Sequence, residues 1–80
     1  MGQLNYNWDV ARVNMRKLRE KKQLSQLALH IELGWCEGSI SNYESGKNIP
    51  SIEYIIAFCT YFEIRIEELF EEDLIKEKKH

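Results

Sequence analysis

Apolar residues recur along this chain at intervals of three and four, the spacing that puts them on one face of a helix. A first helix is predicted over residues 8–22, with Val10, Val13 or Met15, and Leu18 inward and Arg12, Arg16, Lys17, Lys21 and Lys22 mostly outward. Ser25 has the chemistry of an N-cap for a second helix over residues 26–33, where Leu29 and Leu33 share a face. Gly34 then stands where a helix stops and the backbone turns left-handed. A third short helix over residues 37–45 turns Ile40 and Tyr43 inward. Pro50 excludes helix just before it, so residues 46–50 form a loop. Ser51 caps a fourth helix over residues 52–61, with Ile52, Ile55, Ile56, Cys59 and Phe62 as its buried stripe. A fifth helix starts near Ile66, takes in Leu69 and Phe70, and extends toward Leu74 and Ile75. The chain thus divides into an N-terminal arm (residues 1–7), one domain (residues 8–72) and a charged C-terminal extension (residues 73–80).

The pair of short helices around Gly34 has a further property. The positions of the third helix left outside, Glu37, Gly38, Ser39 and Asn42, are small or polar and present hydrogen-bonding groups. Two helices joined by a glycine turn, the second with such an outer face, form a helix-turn-helix, the unit that reads DNA in the major groove.

An ordered set of residues around this unit resembles the phage-repressor-type (Xre/Cro-like) helix-turn-helix proteins of bacteria and their viruses. The matching run is Leu18-Arg19-Glu20, Leu24-Ser25-Gln26, Leu33-Gly34, Ile40-Ser41-Asn42-Tyr43-Glu44-Ser45-Gly46-Lys47, Pro50-Ser51-Ile52-Glu53 and Glu67-Glu68-Leu69-Phe70. The resemblance implies an all-α, five-helix, lambda-repressor-like domain. It implies base-edge contacts from Glu37, Gly38 and Asn42, with Ser39 on base or phosphate. Asn42 can pair bidentately with adenine, and Glu37 can accept from the amino group of cytosine. Backbone contacts would come from Ser25, Gln26, Ser45, Lys47 and Asn48, with Arg16 and Lys17 as secondary contributors. Arg19 and Glu44 are expected to form a partly buried ion pair between the first helix and the end of the third. Two positions depart from the family: His30 stands where a small residue is usual, and Cys36 where Ser or Thr usually caps the reading helix. Cys59 falls at a small, buried family position and is expected to be inert.

Composition changes this picture in three ways. Eighty residues with 44% hydrophobic content give a single small core, and domains of this size often gain stability by oligomerising. The aromatic residues of the fourth helix surround it too completely for one core face. Tyr61, Ile64, Ile66, Phe70 and Leu74 are therefore the candidates for a homodimer interface. The formal net charge of −2 counts against simple nucleic-acid binding, but it is unevenly spread. Residues 1–50 carry seven Lys/Arg against five Asp/Glu, and residues 51–80 carry four against eight. The basic half contains the helix-turn-helix.

Other function classes find little in the chain. It shows no nucleophile–base order, no metal-ligand cluster and no phosphate-cradling glycine loop, so an enzyme is not expected, nor a cofactor, metal or small-molecule ligand. No apolar run approaches the ~20 residues that span a bilayer, and two unpaired cysteines fit a reducing compartment. A cytoplasmic location follows as the expectation. The resulting reading is a regulator of transcription, a repressor, that binds a palindromic site on double-stranded DNA as a homodimer. The acidic balance, Glu37, Gly38 and a reading helix without Lys or Arg keep a second reading open. In it the fold serves as an antitoxin- or anti-regulator-like interaction module with weak or no DNA binding.

Overall fold

In a computed structural model, which describes residues 7–72 apart from the side chain of Glu37, the chain forms four α-helices and one 3₁₀ turn. They are α1 (Trp8–Lys21), α2 (Gln26–Leu33), α3 (Glu37–Ser45), α4 (Ile52–Phe62) and the 3₁₀ turn Ile66–Phe70. The first six residues and the extension from residue 73, with Leu74 and Ile75, lie outside the described residues.

Local chemistry sets most of these boundaries. The side chains of Asn7, Ser25 and Ser51 accept hydrogen bonds from the amides of Asp9, Ala28 and Tyr54, each serving an N–H that has no partner within its helix. Gly34 and Gly46 end α2 and α3 in the left-handed conformation, at φ of 82° and 85°. A Cβ on Gly46 would also press on the guanidinium arm of Arg12, at 3.1 Å from Nε. Two ordinary residues adopt the same conformation, Gln23 after α1 and Glu63 after α4, with φ of 61° and 59°.

The core is built from all five elements: Ala11 and Met15 of α1, Leu29 of α2, Ile40 of α3, Tyr54, Ile55, Phe58 and Cys59 of α4, and Leu69 of the 3₁₀ turn. Tyr54 is its aromatic centre. Its ring lies 4.7 Å from that of Tyr43 and 5.5 Å from that of Trp35, the latter edge-on. Burial pushes the Tyr54 phenol above its ordinary pKa, and the neighbouring Glu44 carboxylate adds to the shift. Burial likewise raises the Cys59 thiol from 9.0 to about 11.

Of the alternatives Val13 and Met15, the core takes Met15, joined by Ala11, and Val13 is left 38% exposed. Two expectations are corrected. Ile52 and Ile56 are 62% and 50% exposed, because α4 turns Tyr54 and Phe58 inward beside Ile55 and Cys59. The fifth element is a five-residue 3₁₀ turn, not an α-helix. Its fixed point is polar. The buried Asn14 donates from Nδ2 to the carbonyls of Leu69 and Glu71, at 2.8 Å each, so α1 supplies the donor that the turn's C-terminal end lacks.

Asn14→Ala should leave those carbonyls unpaired and cost about 2–3 kcal/mol, whereas Val13→Ala should stay within about 0.5 kcal/mol. Urea unfolding of the two variants separates these values, and equal losses would remove Asn14 from its anchoring role. The ionisable core groups also fix a pH dependence. Cys59 and Tyr54 are harder to ionise folded than unfolded, so unfolding releases protons at high pH. The urea midpoint should therefore hold steady below pH 9 and fall as the pH rises toward about 11.

Candidate nucleic-acid interface

The face formed by α2 and α3 is organised around the side chain of Glu44. Arg19 of α1 grips it with two hydrogen bonds, Nε to Oε2 at 2.7 Å and Nη2 to Oε1 at 3.0 Å. Both side chains are nearly buried, 11% exposed for Arg19 and 8% for Glu44. The Glu44 hydrogen bond raises the pKa of the Arg19 guanidinium against the opposing effect of burial. Gln26, the first residue of α2, donates from Nε2 to Glu44 Oε1 at 3.0 Å. Arg19 Nη1 also donates to the Leu24 carbonyl at 2.7 Å, which ties down the turn before α2. One carboxylate thus receives groups from α1 and α2 while belonging to α3.

The main chain of Glu44 is held as well. Arg12, two turns before Arg19 on α1, reaches the Glu44 carbonyl with Nη1 at 3.4 Å and bonds Asp9 through Nε at 3.2 Å. A guanidinium at that carbonyl opposes the negative end of the α3 dipole. Sequence reading passed over Arg12 because a cation on a helix surface looks solvated. The seven-residue spacing to Arg19 was the signal that both reach the same side.

The remaining positions named from the sequence divide clearly. Gly38 is exposed, Ser39 and Asn42 are half-buried, and Ser45, Lys47 and Asn48 are exposed, all on α3 or the loop after it. Apart from its chain neighbours and the backbone of its own helix, no described atom lies within 4 Å of where a Cβ at Gly38 would sit. Among the described residues nothing engages the side-chain amide of Asn42 or the ammonium of Lys47. The carbonyl of Asn42, by contrast, accepts from the amides of Lys47 and Asn48 at 2.9 and 3.2 Å and from Ser45 Oγ at 3.2 Å. The loop is thereby folded back on the end of α3. Ser25 uses its hydroxyl to cap α2, and Gln26 spends its amide on Glu44, so their side chains shape the face from within. Glu37 is the first residue of α3.

The two departures at the turn are accommodated differently. His30 is half-buried and donates from Nδ1 to the Trp35 carbonyl, so its ring closes the turn between α2 and α3. Cys36 occupies the N-cap of α3, is exposed, and makes no side-chain capping bond.

The secondary basic residues of α1 part company. Arg16 borders a polar hollow of about 230 Å³ with Arg19, Gln26, Ser41, Glu44 and Ser45. Lys17 lies in a groove with Val10, Val13 and Glu72. Ser41 was missed as a site residue, although it precedes Ser45 by one helical turn and shares its face. The interface candidates separate too. Ile64 and Ile66 line a groove with Ile56, whereas Phe70 meets Trp8 edge-on at 5.0 Å and Tyr61 packs on Phe62 beneath Lys22. Among the described residues no three His, Cys, Asp or Glu side chains come together as a metal site, and no helix is long and apolar enough to cross a membrane.

A family model described as helix-turn-helix matches residues 15–69. No curated protein and no solved structure matches the chain.

The geometry of Glu44 gives a direct test. Arg19→Met should strand the Glu44 carboxylate and cost about 3–5 kcal/mol, while Arg19→Met combined with Glu44→Leu should recover most of it. Thermal or urea unfolding measures both, and a single-variant loss below about 1 kcal/mol would show that water compensates the carboxylate.

Proposed function

The chain belongs to the phage-repressor-type helix-turn-helix family of DNA-binding regulators, and from that premise we propose that it is a repressor binding a palindromic operator as a homodimer. The observation that carries this reading is the side-chain amide of Asn42. Among the described residues it has no partner, and it stands on α3, whose angle is fixed from α1 through Glu44. An uncommitted amide on a rigid helix suits bidentate recognition of adenine. Gly38, Ser39 and Glu37 precede it on the same helix as further base-edge positions. Lys47, Asn48 and Ser45 follow as contacts to phosphate, and the N-terminus of α2 at Ser25 and Gln26 offers amides to a second phosphate.

A second copy would seat on the groove of Ile56, Ile64 and Ile66, where the exposed Ile56 of α4 and Ile66 of the 3₁₀ turn flank the half-buried Ile64. Ile52 extends this apolar surface along α4. Two-fold pairing through it would place two reading helices about one helical turn of DNA apart, ~34 Å. The competing reading, an interaction module of the same fold, draws on the lack of any Lys or Arg in α3.

Selection from a randomised duplex pool, followed by sequencing, decides between them. The expected result is a two-fold symmetric motif. Asn42→Ala should relax one position of each half-site at a cost of about 1–3 kcal/mol, and Lys47→Ala should weaken all sequences alike. Ile56→Glu should yield a monomer in sedimentation and lose the symmetric motif. No enrichment at low salt would turn the assignment to a protein partner.

A further inference from the structure

Duplex DNA is a polyanion, and the reading helix brings no cation to it. Of the two arginines bordering the polar hollow between α1 and α3, Arg19 is spent on Glu44 and on the Leu24 carbonyl. Arg16 is not. Its side chain is 63% exposed, and its sole partner among the described residues is Glu20 one turn later, at 3.0 Å from Nε to Oε2. Glu20 is itself 51% exposed and also lies 3.9 Å from Arg19 Nη2. Across the hollow stand the hydroxyl-bearing Ser41 and Ser45 of α3.

Resting on the DNA-binding reading above, we infer that Arg16 binds a backbone phosphate in this hollow and that Glu20 competes with that phosphate for the same guanidinium. A guanidinium fork accepts carboxylate and phosphate oxygens in the same geometry, so one displaces the other without rebuilding the site. Ser41 completes the pocket with a hydroxyl donor, while Ser45, whose hydroxyl is given to the Asn42 carbonyl, forms part of its wall. An exposed i,i+4 pair is weak, which lets the phosphate win at low salt. The pair then sets how strongly the protein binds DNA of any sequence, separately from the base contacts of Asn42.

The test is fluorescence anisotropy with a random-sequence duplex over a range of salt, using full-length wild type, Arg16→Gln, Arg16→Lys, Glu20→Gln and the Arg16→Gln/Glu20→Gln pair. Arg16→Gln should reduce the slope of log K against log salt by about 0.9, and Arg16→Lys should restore it. Glu20→Gln should tighten binding several-fold, and most of that gain should vanish in the double variant. Two results overturn the inference alone: a wild-type slope in Arg16→Gln, or an equal gain from Glu20→Gln with and without Arg16. Absence of salt-dependent binding by the wild type to any duplex overturns the regulator reading, and this inference with it.

Discussion

The arrangement of this domain depends on what holds one residue, Glu44. Its carboxylate takes two bonds from Arg19 and one from Gln26, and its carbonyl takes one from Arg12. Helix α3 is nine residues long, too short to persist on its own in water. Among its described side chains Ile40 is fully buried in the core, and Tyr43 packs half-buried against Tyr54. Apolar contact is non-directional, and these two side chains, one turn apart, fix the angle of a short helix only weakly. Directional bonds at its far end remove that freedom. Packing therefore places α3, and charge orients it.

A second polar fastening leaves α1 from a position between Arg12 and Arg19. Asn14 holds the carbonyls of Leu69 and Glu71, while Trp8 meets Phe70 edge-on. Helix α1 is thus a strut with the reading helix attached along one side and the 3₁₀ turn along another. The surface beside that turn, with Ile56, Ile64 and Ile66, is the one assigned to a second copy. Rigid attachment of both to one helix would fix the relation between the proposed DNA-facing and partner-facing surfaces. Distance between half-sites would then be a property of the folded domain.

The sequence made much of this legible where the physics is local. Ser25, Gly34, Ser51 and Gly46 mark helix ends by hydrogen bonding and backbone conformation that do not depend on tertiary contacts. Periodicity located Leu29, Ile40, Ile55 and Cys59 in the core, and it failed at Ile52 and Ile56. It left Val13 and Met15 as alternatives, and in both helices only the neighbouring elements decide which stripe is covered. Asn14 and Arg12 were illegible for a related reason. Both look like solvated helix positions until carbonyls of distant residues are brought to them. Family resemblance joined Arg19 to Glu44, yet the third member, Gln26, looked like a surface donor reserved for phosphate. The 3₁₀ turn was read as a helix because Leu69 and Phe70 follow helical spacing, which five residues cannot distinguish.

Gly38 has an implication for how such a protein diverges. A glycine weakens a helix interior by about 1 kcal/mol relative to alanine, and here it has open space around it and no positive φ to justify it. The scaffold neither requires the glycine nor resists its replacement. On the proposed DNA-binding reading, a new side chain at this position, on a helix held at its far end by Glu44, would face the ligand rather than the protein. Duplicated copies of the gene could acquire new target preferences by a single codon change at residue 38, gaining stability rather than losing it. The position is a blank key on an otherwise finished lock.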